Sequence, residues 1–121
     1  MKHRIERLNE QLKQDISQIV QMEVHDPRVT GHFITVLEVD TAPDLSHAKI
    51  YISIFEGDKF KIIEGLNHSS GFIQSLLLKR IKIRKIPRLE FFLDETNIRA
   101  ERINRILHKI HENEKSSGEG I

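Results

Sequence analysis

Cysteine and tryptophan are absent from the 121-residue chain, and there are only one tyrosine and three prolines. Without thiols there is no disulfide, zinc–thiolate centre or thiol nucleophile, so packing alone must hold the fold, and the composition suits a reducing compartment. A surplus of one charge sign is missing too: 19 Lys and Arg face 18 Asp and Glu, for a net charge of +1. Bulk charge therefore argues for no polyanionic partner, and any such argument must rest on where the charges sit. Apolar runs such as Leu76-Leu77-Leu78 fall far short of the roughly 20 residues that cross a bilayer. Met1-Lys2-His3-Arg4 leads straight into an amphipathic pattern instead of a signal-peptide core. No membrane span and no export are expected.

What is present is the material of one small soluble domain. Apolar residues make up 38% and charged residues 31% of a chain whose length allows one hydrophobic core. From His3 to Val24, Ile5, Leu8, Leu12, Ile16, Ile19 and Val20 fall on one helical stripe, and Pro27 disfavours helix at Asp26, which stops it near Val24 or His25. After a turn at Thr30-Gly31, residues 33–40 (FITVLEVD) and 48–55 (AKIYISIF) carry the β-branched residues and alternation of two antiparallel strands. Asp58 caps a short helix reaching about Asn67, Ser69-Ser70-Gly71 interrupts, and a second helical stretch begins at Phe72 and ends before Pro87. Residues 88–94 read as a third strand. Thr96-Asn97 caps a last helix with the apolar stripe Ile103, Ile106, Leu107 and Ile110, and the polar stretch 113–121 is expected to be a disordered tail. The expectation is a single α+β domain over residues 1–112, with helices packed on one face of a three-stranded sheet.

The chemistry-bearing residues do not assemble into a catalytic pattern. Among seven histidines, only His108 and His111 share a helix face by spacing, and two ligands make no metal site. Ser69, Ser70 and Ser75 have no local base with its orienting partner, and no phosphate-cradling glycine loop is present. Neither catalysis, a metal nor a cofactor is expected.

The strongest asymmetry is the stretch 79–88 (KRIKIRKIPR), where Lys79, Arg80, Lys82, Arg84, Lys85 and Arg88 stand without an acidic residue among them. Such crowding is relieved by phosphate backbones with a counterion-release gain, although a solvated helix end also tolerates cations. The helical break beside it adds meaning. In KH-type RNA-binding domains two helices are joined by a glycine-rich turn where the backbone approaches nucleic acid. The order α-β-β-α-α-β matches the second KH topology, with Ser69-Ser70-Gly71 in place of the usual Gly-x-x-Gly.

With its neighbours, that joint resembles the ribosome-binding factor A family, whose KH-like domain has an Ala-x-Gly kink. His25-Asp26-Pro27-Arg28 is similar to the family's Asp-Pro-Arg segment and Ala48-Lys49-Ile50-Tyr51 to its Ala-Lys-Val-Tyr strand. The run Ser70-Gly71-Phe72-Ile73-Gln74-Ser75-Leu76-Leu77 resembles its Ser-Gly-Phe-Ile-Arg-Ser-Leu-Leu, and Arg84 to Phe91 its Arg-x-x-Pro-x-Leu-x-Phe. Together these span about residues 3–110. Departures stand at Ser69, at Gln74 where arginine is common, at Leu78 for a frequent glycine, and at Arg88 where an acid is often found.

The resemblance implies a parallel pairing for the third strand and a cytoplasmic, monomeric factor. Such a factor binds the free small (30S) ribosomal subunit through its 16S rRNA, assists late maturation without catalysis and is associated with cold adaptation. The expected RNA contacts are Ser69, Ser70, Gly71, Gln74, Lys79, Arg80, Lys82, Arg84, Lys85 and Arg88, with Arg28, Arg102 and Arg105 secondary. Because the single tyrosine and six phenylalanines read mostly as core, recognition is expected through backbone and shape rather than base stacking. The competing reading is a protein-interaction adaptor whose basic segment meets an acidic protein surface.

Overall fold

A computed structural model describes residues 2–94, with helix α1 over Lys2–Met22, strands β1 over Ile34–Thr41 and β2 over His47–Ile54, helices α2 over Lys59–His68 and α3 over Ser70–Arg80, and strand β3 over Arg88–Leu93. The last helix, the tail and the boundary near residue 112 lie outside the described residues. The stripe on α1 does what its spacing requires: Leu12, Ile16, Ile19 and Val20 are buried while Glu10, Lys13 and Gln21 are not. The helix stops at Met22, and the Val24 N–H still reaches the Ile19 carbonyl at 3.2 Å before Pro27 redirects the chain.

The sheet has the order β1-β2-β3. β1 and β2 run antiparallel with a bulge between Val36 and Glu38, and β3 runs parallel to β2 with Phe91 opposite Ile50. The parallel strand requires a long crossover, which α2 and α3 supply. One sheet face, with Val36, Val39, Ile50, Ile52, Leu89 and Phe91, meets Leu12, Ile16 and Ile19 of α1, Ile62 and Leu66 of α2, and Ile73 and Leu77 of α3. Each such side chain is worth about 1.5–3 kcal/mol relative to exposure, so this layer is the main source of stability. Two asparagines tie helices to the outer strands. Asn9 on α1 accepts the Thr41 N–H at 3.1 Å, and Asn67 on α2 accepts the Phe91 N–H at 2.8 Å while donating to its carbonyl at 3.2 Å.

Two expectations need correction. The break between the middle helices is narrower than Ser69-Ser70-Gly71, because Ser69 alone separates them and α3 already begins at Ser70. Ser69 sits at φ −89° and ψ 3°, its N–H shared between the Gly65 and Leu66 carbonyls at 3.0 and 3.1 Å while its own carbonyl accepts the Ile73 N–H at 2.9 Å. One residue thus closes one helix and opens the next, and Gly71 is an ordinary helical residue without positive φ. The phenylalanines, moreover, are not mostly core. Phe91 is fully buried, but Phe33, Phe55 and Phe60 are 69%, 77% and 86% exposed, and Phe72 is exposed too. Apolar composition reports how much core a chain can build, not which aromatic ring faces it.

Candidate nucleic-acid interface

The basic stretch owes its geometry to the isoleucines inside it. After α3 ends, Ile81 is extended and its N–H reaches the Leu77 carbonyl at 2.9 Å. Ile81 and Ile83 pack partly against the core and Ile86 is buried with Pro87. Anchoring these residues inward leaves Lys82, Arg84, Lys85 and Arg88 outward, next to Lys79 at the helix end. Gln74 fixes the same segment, its amide donating to the Pro87 carbonyl at 3.0 Å and lying 3.5 Å from that of Ile86. It is therefore a tether for the approach to β3.

The six cations divide into one that is engaged and five that are not. Arg80 donates to Gln18 at 2.9 Å and lies 3.5 Å from Asp15, linking α3 to α1. Lys79, Lys82, Arg84, Lys85 and Arg88 are exposed and make no side-chain hydrogen bond or ion pair among the described residues. Up the helix, Ser69 and Ser70 are half-buried, and the Ser70 hydroxyl is spent on the Asn67 carbonyl at 2.8 Å. Gly71 is exposed, and a Cβ there would meet nothing within 4 Å. Neither conformation nor crowding inside the molecule requires glycine at that position.

Arg28 is placed differently. Its Nε and Nη2 donate to both Asp26 oxygens at 3.0 and 2.8 Å, its backbone N–H donates to Asp26 Oδ1 at 2.8 Å, and its Nη1 lies 3.5 Å from Glu64 on α2. The Arg28 side-chain and backbone hydrogen bonds hold the Asp26 carboxyl at about 2, below its usual value of 3.8. Beneath this clamp lies Gly65, where a Cβ would come within 2.9 Å of Val29 and 3.0 Å of Arg28. The Asp-Pro-Arg segment thus fastens the loop after α1 onto α2, with Arg28 committed to two carboxylates. Arg102 and Arg105 lie outside the described residues.

Among the described residues no group of three or more His, Asp or Glu is placed to hold a metal ion, and no helix is long and apolar enough to cross a membrane.

The sequence pattern of the family described as "Ribosome-binding factor A" matches residues 4–107, nearly the whole described body and the segment beyond it. The chain belongs to the ribosome-binding factor A family. Ribosome-binding factor A of Halothermothrix orenii is 38% identical over 120 residues, covering 98% of this chain and 97% of its own. That of Clostridium botulinum is 36% identical over 117 residues, covering 95% and 97%. The crystal structure of ribosome-binding factor A from Thermus thermophilus superposes with a TM-score of 0.66 at 27% identity, over 74% of this chain and 93% of that one. A homology model of the Thermus thermophilus factor, fitted into a cryo-EM map of a complex between the 30S subunit and that factor, superposes at 0.61 with 28% identity, over 71% and 90%.

Sequence reasoning found the basic run and the joint beside it, but it missed Asn67 as a strand partner and the exposed phenylalanines. Asn67 does carry a signal, since a polar residue stands four positions after Ile63 on a face otherwise turned to the core.

Proposed function

We propose that this chain binds the free 30S ribosomal subunit through its 16S rRNA and assists late maturation in the cytoplasm as a monomer, without catalysing a reaction. The observation that carries this reading is the set of five outward cations, Lys79, Lys82, Arg84, Lys85 and Arg88, each without an internal partner among the described residues, following a bare Gly71. Phosphates neutralise such a row and release counterions, while a glycine without Cβ lets a nucleic-acid backbone come close to α3. Family membership supports the same reading, and the Thermus thermophilus factor has been fitted into a 30S complex.

The test is a salt series on purified 30S subunits with the wild-type chain and with Lys82, Arg84 and Lys85 all changed to Ala. The variant should fold normally and bind more weakly, with its log–log salt slope shallower by about one unit for each phosphate it no longer neutralises. An unchanged slope and affinity would refute the assignment. Replacing Arg102 and Arg105 should matter less. Binding that survives nuclease treatment of the target would instead favour an acidic protein surface as the partner.

A further inference from the structure

The face that α3 turns to solvent is largely apolar. Ile73 and Leu77 are buried beneath the helix, and helical spacing sets Gly71, Ser75 and Leu78 in one row on the opposite side, with Phe72 and Lys79 in the row beside it. Phe72 is 48% and Leu78 51% exposed. Between these two side chains little projects, since Gly71 has no side chain and the Ser75 hydroxyl turns back onto the Phe72 carbonyl at 2.6 Å. Among the described residues of this face, Lys79 alone keeps an unpaired polar end.

The charge beside this strip decides what fits on it. Gln74, one turn before Leu78, holds the Pro87 carbonyl at 3.0 Å, so the basic segment runs back along that flank of the helix. From Gly65 to Leu89 the chain has no aspartate or glutamate. A protein surface docking here would need an acidic rim matched to an apolar centre. RNA carries both parts in each nucleotide, an anionic phosphate and a flat base. A duplex hides its base faces in the stack and shows mainly phosphates and 2′-hydroxyls, so an exposed aromatic ring beside free cations suits a single strand.

On the reading that this chain binds 30S RNA, we propose that the bound segment is unpaired and that one of its bases lies on α3. The base stacks on Phe72 and is flanked by Leu78, while neighbouring phosphates meet Lys79 and the cations of residues 82–88. Because the strip presents no free hydrogen-bonding group to a base edge, the stack tolerates any base. Recognition by backbone and shape alone was expected from phenylalanines in the core, and the exposure of Phe72 removes that premise.

The test uses purified 30S subunits and the full-length chain across a salt series. Phe72→Ala should bind roughly 5- to 150-fold more weakly, the range that stacking one base on an aromatic side chain contributes. Its salt slope should stay that of the wild type, because no phosphate contact is lost. Phe72→Tyr should bind like the wild type, whereas Phe72→Leu, which keeps apolar area without a ring, should not. Acylation of RNA 2′-hydroxyls marks mobile unpaired nucleotides; at saturation, at least one should be quietened by the wild type and by Phe72→Tyr but stay reactive with Phe72→Ala. Neither Phe72 nor Leu78 belongs to the buried core, so urea transitions should be retained. If Phe72→Ala loses its transition, Leu78→Ser decides, with a smaller loss of affinity at unchanged slope. Wild-type affinity in the deciding variant overturns the proposal, as does full activity of Phe72→Leu. Weaker binding with no change in nucleotide reactivity overturns it in favour of a protein surface. A wild-type chain that fails to bind 30S, or binds without salt dependence, refutes the RNA-binding reading itself and the proposal with it.

Discussion

Gly65 and Gly71 stand six residues apart on either side of the Ser69 break, yet their surroundings are opposite. Around Gly65 every neighbour is spoken for: Arg28 grips Asp26 and reaches Glu64, Val29 is buried, and the missing Cβ is space already filled. Around Gly71 and onward through Arg88, every charged side chain but Arg80 points outward without a partner among the described residues, and the glycine borders open space. The first region consumes its charged groups in holding itself together, whereas in the second only Arg80 is so engaged and Lys79, Lys82, Arg84, Lys85 and Arg88 have no side-chain partner among the described residues. Two glycines in one helix pair thus have opposite surroundings, filled space at Gly65 and open space at Gly71.

The largest effect should come from placing alanine at each glycine in turn. Alanine gains about 0.5–1 kcal/mol over glycine in the middle of a helix, and at position 71, the second residue of α3, urea melts should show a gain of at most that size. At position 65 overpacking against Val29 and Arg28 costs about 1–3 kcal/mol, so Gly65→Ala should melt below Gly71→Ala by about that amount. In 30S binding the order should invert, with Gly71→Ala the weaker binder. If both variants bind equally well, the contrast between inner and outer glycine is only one of packing.

Acid should affect the engaged region first. The Asp26 carboxyl sits at about 2 in the fold against an ordinary value of 3.8, so the unfolded chain takes up this proton first as the pH falls. The stabilisation is complete above about pH 4 and fades between there and about pH 2. Accordingly the urea midpoint of Asp26→Asn should lie below that of the wild type at pH 6, and the gap should close as the pH approaches 2. A constant gap would mean that Arg28 is held by something other than the Asp26 charge.

The smallest effect divides the basic stretch itself. Arg80→Ala gives up a hydrogen bond to Gln18 and a partly exposed ion pair with Asp15, worth at most about 1 kcal/mol, whereas Lys79→Ala should change stability by less than about 0.5 kcal/mol. Subunit affinity should respond the other way, with Lys79→Ala costing more than Arg80→Ala. Equal losses of affinity would show that Arg80 leaves Gln18 to join the interface.

These contrasts also mark what the sequence made legible. Elements with a strong period were readable: the α1 stripe emerged as the buried face, and both antiparallel strands lie within one residue of their expected bounds. The parallel seat of β3 was not readable from pattern, because six residues of alternation do not say which neighbour they join; only the resemblance supplied it. The kink was placed too wide because glycine and serine advertise breaks, while the actual break needs only Ser69 and its shared N–H. Within the site, charge density located the exposed cations correctly but could not separate Arg80 from Lys79. That distinction depends on Gln18 and Asp15, more than sixty residues away in the chain. Gln74 stands among the expected RNA contacts, and its tether to the carbonyls of Ile86 and Pro87 was not foreseen because those partners carry no sequence signature.

The asparagines on the outer strands reach beyond the single molecule. A three-stranded sheet has two rims whose unpaired amides invite strands from other chains, and such pairing is a common route to aggregation. Here Asn9 occupies the β1 rim at Thr41, and Asn67 occupies the β3 rim at Phe91 with both its oxygen and its nitrogen, imitating the main chain of a missing fourth strand. The β3 rim is therefore occupied at Phe91 by a side chain from the crossover that delivers the strand. A strand adding at Phe91 would first have to displace Asn67, so release of that one amide from the edge is a step that misassembly there must include.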